Sequence, residues 1–192
     1  MYIVGFSGPP RSGKDSIANA LAAHIEDVRK VQPQILALSQ PMREVTFALA
    51  GLTYDLPTYE AIKDQVNPIL GVTIRQAMID LSENYVKPTY GHDFWARALV
   101  AKLWNPVPKI LIVTDMGFDA ERLYFESLVG KDNCVWPQIT RPGFSFAGDS
   151  RSYIGEPPQR TIIHNDIEGP RGILESAVRI YGRLVNKYHW EI

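Results

Sequence analysis

Short apolar runs alternate along the chain with longer segments in which apolar residues recur at helical spacing. The short runs are rich in β-forming residues and end at Gly, Pro or polar residues, so they predict buried strands over 2–6, 35–38, 110–113, 135–139 and 161–164. Helical spacing predicts helices over 14–25, 41–49, 59–63, 73–81 (interrupted at 88–92), 94–103, 119–128 and 173–185. Strands that alternate with helices predict an α/β fold, in which helices flank a parallel sheet.

Composition places the chain among globular proteins. It has 192 residues, of which 45% are hydrophobic and 21% charged, and this predicts a single domain over 1–192. A formal net charge of −1 favours neither a nucleic acid polymer nor a membrane surface as partner. The single cysteine, Cys134, excludes an intrachain disulfide and is interpreted as a buried apolar residue rather than a nucleophile. We therefore expect a cytoplasmic protein.

Residues 8–16 (GPPRSGKDS) follow the pattern G-x-x-x-x-G-K between the first predicted strand and the first predicted helix. Glycines at both ends allow the backbone to bend so that successive N–H groups point at phosphate oxygens, and the helix adds the positive end of its dipole. Lys14 would reach the outer phosphates. The predicted nucleotide-binding residues here are Gly8, Arg11, Ser12, Gly13, Lys14, Asp15 and Ser16, with ATP as the ligand.

The same segment suggests how Mg²⁺ would be held. Asp15 stands where this pattern usually has Ser or Thr, and a hydroxyl follows one residue later. The metal ligand is therefore Ser16, or Asp15 through a water. Asp115 ends the apolar run 110–114, and ligands of parallel sheets bind beyond the carboxyl ends of the strands, so it is a further candidate. An N-cap role for Asp115 in the next helix stays open.

Residues 141–160 are rich in Gly, Ser, Pro and Arg and show neither helical nor strand periodicity. A long polar loop that carries arginines is typical of a lid that closes over a nucleotide. Phosphoryl transfer spreads negative charge over the oxygens of the transferred group, so cations are expected around it. The candidates for that catalytic role are Lys14, Arg11, Arg75, Arg141 and Arg151, and a solvated surface role stays open for each single arginine.

Several segments, in chain order, resemble one known family. Residues 11–16 (RSGKDS) and 140–143 (TRPG) carry the most specific likeness, and weaker likeness extends over 37–43, 73–78, 90–95, 112–121 and 163–166. Together these motifs resemble the phage deoxynucleoside monophosphate kinases, within the nucleoside monophosphate kinase-like P-loop group. The resemblance spans nearly the whole chain. It implies a P-loop NTPase-type three-layer fold that uses ATP and Mg²⁺ to convert a (d)NMP into a (d)NDP.

The resemblance also implies where the nucleotides bind. The acceptor would occupy a region of about 37–95, with Arg75 on its phosphate and Arg43 nearby, and the lid would cover about 141–160. Other residues implied at the site are Lys87, Asp93 and Trp95 around the acceptor, with Trp95 equally interpretable as core, and Asn165 near the donor adenine. This sequence departs from the family at Gly117, where the family has Arg, and at Ala120, where it has Asn. The resemblance therefore does not extend to the choice of base.

Two other function classes stay open. A small-metabolite kinase, similar to phosphomevalonate or dephospho-coenzyme A kinases, would share the P-loop layout. A P-loop switch would hydrolyse its nucleotide slowly and signal through a partner, but the chain lacks an N-K-x-D specificity motif. The expected partners are small nucleotides, with a homodimer left open, and the location is the host cytoplasm if a phage encodes the protein.

Overall fold

A computed structural model describes residues 1–166, 169–186 and 190. Five parallel strands form one sheet in the order β2–β3–β1–β4–β5. The strands are β1 (Tyr2–Ser7), β2 (Gln34–Ala37), β3 (Ile110–Met116), β4 (Cys134–Thr140) and β5 (Arg160–His164). Each predicted strand is confirmed.

The chain divides into two compact units, Met1–Leu38 with Lys102–Ile192, and Ser39–Ala101. The first unit holds the sheet with helices α1 (Lys14–Arg29), α7 (Asp119–Val129) and α8 (Pro170–Asn186). The second unit holds α2 (Gln40–Leu49), α3 (Leu56–Ile62), α4 (Ile74–Leu81), α5 (Lys87–Tyr90) and α6 (Phe94–Val100). Within the described ranges, we find no helix that combines the length and apolar character needed to span a membrane.

Helices cover both faces of the sheet in the first unit. On one face, α1 and α8 pack together over a cluster that includes Val4, Phe6, Ile112 and Val135. Trp136 follows Val135 in β4 and therefore points to the opposite face, where its indole N–H donates to Glu126 of α7. Burial on both faces explains why β1, β3 and β4 are buried over nearly their whole length, whereas β5, at the edge of the sheet, alternates exposed and buried residues. This three-layer α/β arrangement, with a glycine-rich loop between β1 and α1, is a P-loop NTPase-type fold.

Cys134 lies at the start of β4 and is fully buried. Burial, with a smaller contribution from the charge of Glu126, raises the pKa of its thiol to about 12. The reactive thiolate is therefore scarce at neutral pH. We expect iodoacetamide at pH 8 to alkylate the native protein at least ~100-fold more slowly than the denatured protein, because the unfolded thiol has a pKa of about 8.5. Intact-mass measurements over time test this, and similar rates in both states would contradict a buried thiol.

The second unit has its own small core, formed by Phe47, Ala50, Tyr59, Ile74 and Met78. The predicted cap of α4 is confirmed, since the Thr73 hydroxyl accepts a hydrogen bond of 3.0 Å from the Gln76 N–H.

The predicted interruption at 88–92 is wrong at Pro88. A π-helical turn, Ser82–Val86, joins α4 to α5, and α5 runs on to Tyr90. Hydrogen bonding changes from the π-helical to the α-helical pattern here, with the Lys87 N–H donating to the Ser82 carbonyl, and Pro88, which has no N–H, follows directly in the first turn of α5. The helix ends instead at Gly91, whose φ of 100° is accessible to glycine.

Candidate functional site

The loop between β1 and α1 depends on two glycines. Gly13 caps α1 with a φ of 91°, and a β-carbon there would lie 2.5 Å from the Asn165 side-chain nitrogen. Glycine is required at position 8 for lack of space, because a β-carbon there would lie 2.8 Å from the Ile139 carbonyl oxygen and 2.7 Å from Ser12 Oγ. Both positions therefore exclude larger residues. The predicted role of the loop N–H groups toward phosphate stays a prediction.

Asn165 braces this loop. Its side-chain amide donates to the Ser12 carbonyl at 2.8 Å, and its backbone N–H donates to the Thr140 carbonyl at 2.8 Å. The end of β5 is thereby tied to the loop. Ser12 Oγ is buried and has no hydrogen-bond partner among the residues that the structure describes, which is the condition in which a ligand or water is expected to supply one. A role for Asn165 near an adenine stays a prediction.

Lys14 opens α1 and is only 6% exposed. Its ammonium nitrogen lies 3.6 Å from Asp15 Oδ2, whose side chain is 64% exposed. Because the carboxylate is solvated, it is a weak competitor for the lysine. Ser16 is also exposed in the first turn. The start of α1 thus presents a buried cation beside accessible carboxylate and hydroxyl oxygens.

Asp115 adopts an unusual backbone conformation at the end of β3. Its φ is 57°, and the register between β1 and β3 shifts between Gly5 and Ser7. Its Oδ1 accepts a hydrogen bond of 2.6 Å from the Leu38 N–H. A left-handed non-glycine residue costs on the order of 1–3 kcal/mol, and such strain clusters at functional sites.

The alternative role of Asp115 as the N-cap of the next helix is wrong. The N-cap of α7 is Phe118, and Glu121 Oε2 accepts from the Gly117 and Phe118 N–H groups at 3.3 and 3.2 Å. Helix α7 is therefore capped without Asp115. Among residues 1–166, 169–186 and 190, no three His, Cys, Asp or Glu side chains cluster as metal ligands. Mg²⁺ bound with a nucleotide commonly takes one or two protein oxygens and completes its shell with phosphate and water.

Residues 141–159 are irregular, as predicted, and β5 begins at Arg160, the last residue of the predicted loop. The Arg141 guanidinium donates to the Arg11 carbonyl at 3.1 Å and lies 4.9 Å from the Phe144 ring centroid. This contact brings the cation of Arg141 to the glycine-rich loop.

The second half of this segment is anchored along the carboxyl ends of three strands. The Ser152 N–H donates to the Gly117 carbonyl at 3.0 Å, just after β3, and the Ile154 N–H donates to Ser7 Oγ at 3.3 Å, at the end of β1. From β4, the Gln138 side chain donates to the Ile154 carbonyl at 2.8 Å. We call residues 149–155 the strap. Sequence analysis predicted a loop here but not its attachment points.

Arg151, in the strap, forms a bidentate ion pair with Asp149. Its Nε donates to both carboxylate oxygens at 2.9 and 3.2 Å, and Nη2 donates to Oδ2 at 2.6 Å. Burial acts to lower the pKa of Arg151, but the bonds to Asp149 and the charges of Asp149, Asp115 and Glu121 raise it above its ordinary value. Burial likewise acts to raise the pKa of Asp149, and bonds from Arg151 with the charges of Arg151 and Lys14 hold it below its ordinary value. Both groups stay charged at neutral pH.

In the second unit, two cations lie near the ring of Tyr59, and the charge of a third, Arg75, also acts on it. The Arg43 guanidinium carbon lies 4.4 Å from the ring centroid, and Lys63 Nζ lies 5.6 Å from it. Burial raises the pKa of Tyr59, and the charges of Arg43, Arg75 and Lys63 oppose that rise. Arg75 itself binds Asp64 at 2.6 Å, and both of these side chains are substantially exposed. Sequence reasoning named Arg43 and Arg75 but missed Lys63, whose i,i+4 spacing from Tyr59 was the available signal.

The other acceptor candidates are held by contacts inside the second unit. Lys87 is buried and its ammonium donates to Glu83 Oε1 at 2.6 Å. The Trp95 indole is buried and donates to Ser82 Oγ at 3.0 Å, in agreement with its core alternative. Asp93 pairs with Arg97 at 3.2 Å. Their roles toward an acceptor stay predictions.

Solved structures show a distant likeness to this chain, whereas sequence comparisons show none. No family model matches the chain, and no curated protein sequence matches it. Among solved structures, the chain is similar to an unliganded sugar kinase from Janibacter sp. HTCC2649, at 13% sequence identity over 93% of each chain and with a TM-score of 0.37.

Proposed function

We propose that this protein is an ATP-dependent nucleoside monophosphate kinase acting on a (d)NMP. The observation that carries the proposal is the glycine-bounded loop at the start of α1, which places the buried Lys14 at the carboxyl edge of the sheet. Backbone N–H groups of such a loop and the helix dipole favour phosphate oxygens, and a lysine there neutralises the outer phosphates.

Oxygen ligands suited to Mg²⁺ are present near this loop. Ser16 and Asp15, on the first turn of α1, and Asp115, at the end of β3, would hold the ion directly or through water. Bound Mg²⁺ would neutralise charge on the β- and γ-phosphates. These residues fit the ion because hard oxygen donors are what Mg²⁺ prefers.

The acceptor class is inferred from the second unit. Three cations whose charges act on Tyr59, namely Arg43, Lys63 and Arg75, are suited to an anionic group. Arg75 pairs with Asp64, both side chains are substantially exposed, and a phosphate could replace this solvated carboxylate at little cost. A phosphorylated acceptor is therefore favoured over a neutral sugar or alcohol.

Phosphoryl transfer between these two substrates requires that they be positioned in line, and it requires no covalent enzyme intermediate. An oxygen of the acceptor phosphate would attack the γ-phosphate in line, with ADP as the leaving group. Lys14, Arg11, Arg141 and Arg151 supply positive charge in the first unit, while Arg43 and Arg75 hold the acceptor in the second. No strong general base is required, since the attacking phosphate oxygen is already ionised.

An ATP–Mg²⁺ assay that couples ADP release to a spectroscopic signal tests the proposal. The panel consists of dAMP, dGMP, dCMP, dTMP and their ribose counterparts. We expect ADP to form only when an acceptor is present, because a kinase leaves ATP intact without one. Equal ADP release with and without acceptor would favour a hydrolytic switch. Silence with every nucleotide, despite measurable ATP binding, would favour a small-metabolite kinase.

A further inference from the structure

We propose that Asp149 is a positioning residue that, together with Gly117, holds the Arg151 guanidinium ready at the phosphate site before any nucleotide binds. The inference rests on the proposed function and deepens it. A loop arginine is expected to reach a nucleotide only when a lid closes. Here Arg151 would already be in position in the absence of nucleotide.

Gly117 provides the space for the arginine. A β-carbon on Gly117 would lie 2.4, 2.5 and 2.8 Å from Cγ, Cβ and Cδ of Arg151. The aliphatic stem of Arg151 therefore lies directly on the glycine backbone, just beyond the end of β3. The neighbouring bond from the Ser152 N–H to the Gly117 carbonyl, at 3.0 Å, fixes the chain at the same point. Any larger residue at 117 would displace the arginine.

Asp149 fixes the other end of the side chain. Its carboxylate accepts both from Nε and Nη2 of Arg151 and from the Arg151 backbone N–H at 3.0 Å. Contacts at both the aliphatic carbons and the guanidinium leave the Arg151 side chain little rotamer freedom. A guanidinium that is already ordered loses less entropy when it binds an anion. The bonds to Asp149 engage Nε and Nη2, while Nη1 carries two further N–H donors for an oxygen ligand.

The Asp149–Arg151 pair lies close to the residues of the proposed phosphate site. The charge of Lys14 acts on Asp149, and the charges of Asp115 and Glu121 act on Arg151. The strap that carries the pair is bonded to the ends of β1, β3 and β4, which is the edge where ligands of a parallel sheet bind. A cation held here would stabilise charge that develops on the transferred phosphoryl group.

The test compares four variants in the acceptor-dependent assay. Arg151→Ala is expected to lower kcat about 100-fold, at the lower end of what loss of one transition-state donor costs. Asp149→Asn and Gly117→Ala should each lower kcat about 3- to 10-fold, with the KM for ATP changed less than about twofold, because the arginine remains but is misplaced. Glu175→Gln is the matched control, since it weakens an Arg–carboxylate pair on the exposed face of α8, and it should leave both parameters unchanged.

Coupling between the two residues separates positioning from a structural effect. In the double variant Asp149→Asn/Arg151→Ala, kcat should equal that of Arg151→Ala, since Asp149 has nothing left to position. Thermal unfolding of every variant controls for loss of fold. Additive losses in the double variant, or wild-type kcat in Asp149→Asn beside an impaired Arg151→Ala, would overturn the inference. So would tighter ATP binding with unchanged or higher kcat in Asp149→Asn, because the carboxylate would then be a competitor of phosphate.

A readout without turnover distinguishes failure of this inference from failure of the proposed function. In ¹⁵N spectra, the Nε–H of Arg151 should be protected from solvent exchange in the wild type, lost from the slow-exchanging set in Asp149→Asn, and shifted by Mg²⁺ with a non-hydrolysable ATP analogue. That pattern supports positioning at a nucleotide site even if no nucleotide accepts phosphate. An exchange-labile Nε–H in the wild type, or a signal that the analogue leaves unmoved, would overturn it whatever the reaction is.

Discussion

Replacing Lys14 by Ala is expected to lower kcat with ATP–Mg²⁺ and a (d)NMP about 10³-fold, the size of effect seen when a preorganised charge is removed from a transition state. Lys14 is almost fully buried at the first turn of α1, and its ammonium lies 3.6 Å from the solvated Asp15 carboxylate. A solvated partner of this kind leaves the charge of Lys14 available to a ligand. The KM for ATP should rise much less than kcat falls, if the interaction strengthens in the transition state. Steady-state kinetics with both substrates varied gives the two parameters separately.

The matched control for Lys14→Ala is Lys109→Ala. Lys109 is exposed and precedes β3 at the opposite, amino edge of the strands, where its backbone carbonyl accepts a hydrogen bond from the Tyr2 N–H. We expect its kinetics and its thermal midpoint to match those of the wild type. Circular dichroism and thermal unfolding should also show a native fold for Lys14→Ala. Near-normal turnover in Lys14→Ala would remove the loop between β1 and α1 from the reaction.

Replacing Arg75 by Ala is expected to lower kcat/KM for the acceptor about 100-fold, in the range that truncation of a charge-paired partner costs. Arg75 lies on the exposed first turn of α4, its Nε pairs with Asp64, and its charge acts on Tyr59 together with those of Arg43 and Lys63. Most of the loss should appear as a higher acceptor KM. The KM for ATP should stay within about twofold of wild type, because the donor is expected on the other unit.

Arg179→Ala, on the exposed surface of α8, is the control for this variant. Binding measured by calorimetry with the (d)NMP alone adds a readout independent of turnover, and Arg75→Ala should weaken it by a similar factor. Unchanged acceptor affinity and unchanged kcat/KM would place Arg75 outside the site. A selective rise in the KM for ATP would instead assign Arg75 to the donor.

The sequence was sufficient to predict those features of the structure that depend on residues close together in the chain. Strands β1, β3 and β4 follow from apolar runs because a parallel sheet covered on both faces buries nearly all of their side chains, whereas β5, at the edge of the sheet, alternates exposed and buried residues. Thr73 was recognisable as a cap because capping depends on residues within one turn. The loop at 8–14 was recognisable because its glycines and Lys14 act through backbone geometry over seven residues. The interruption placed at Pro88 failed because the local pattern does not reveal where a helix restarts.

The sequence by itself therefore determined the α/β class, the positions of the strands and most helices, and the glycine-rich loop between β1 and α1, since all of these are encoded over short stretches. Only the tertiary structure decided that Gly117 packs against the side chain of Arg151. Residues 117 and 151 are far apart in the chain, and their contact exists because the strap crosses the strand ends. The left-handed turn of Asp115 and the cations around Tyr59 likewise depend on packing between distant segments, and no local pattern of hydrophobic and polar residues records such packing.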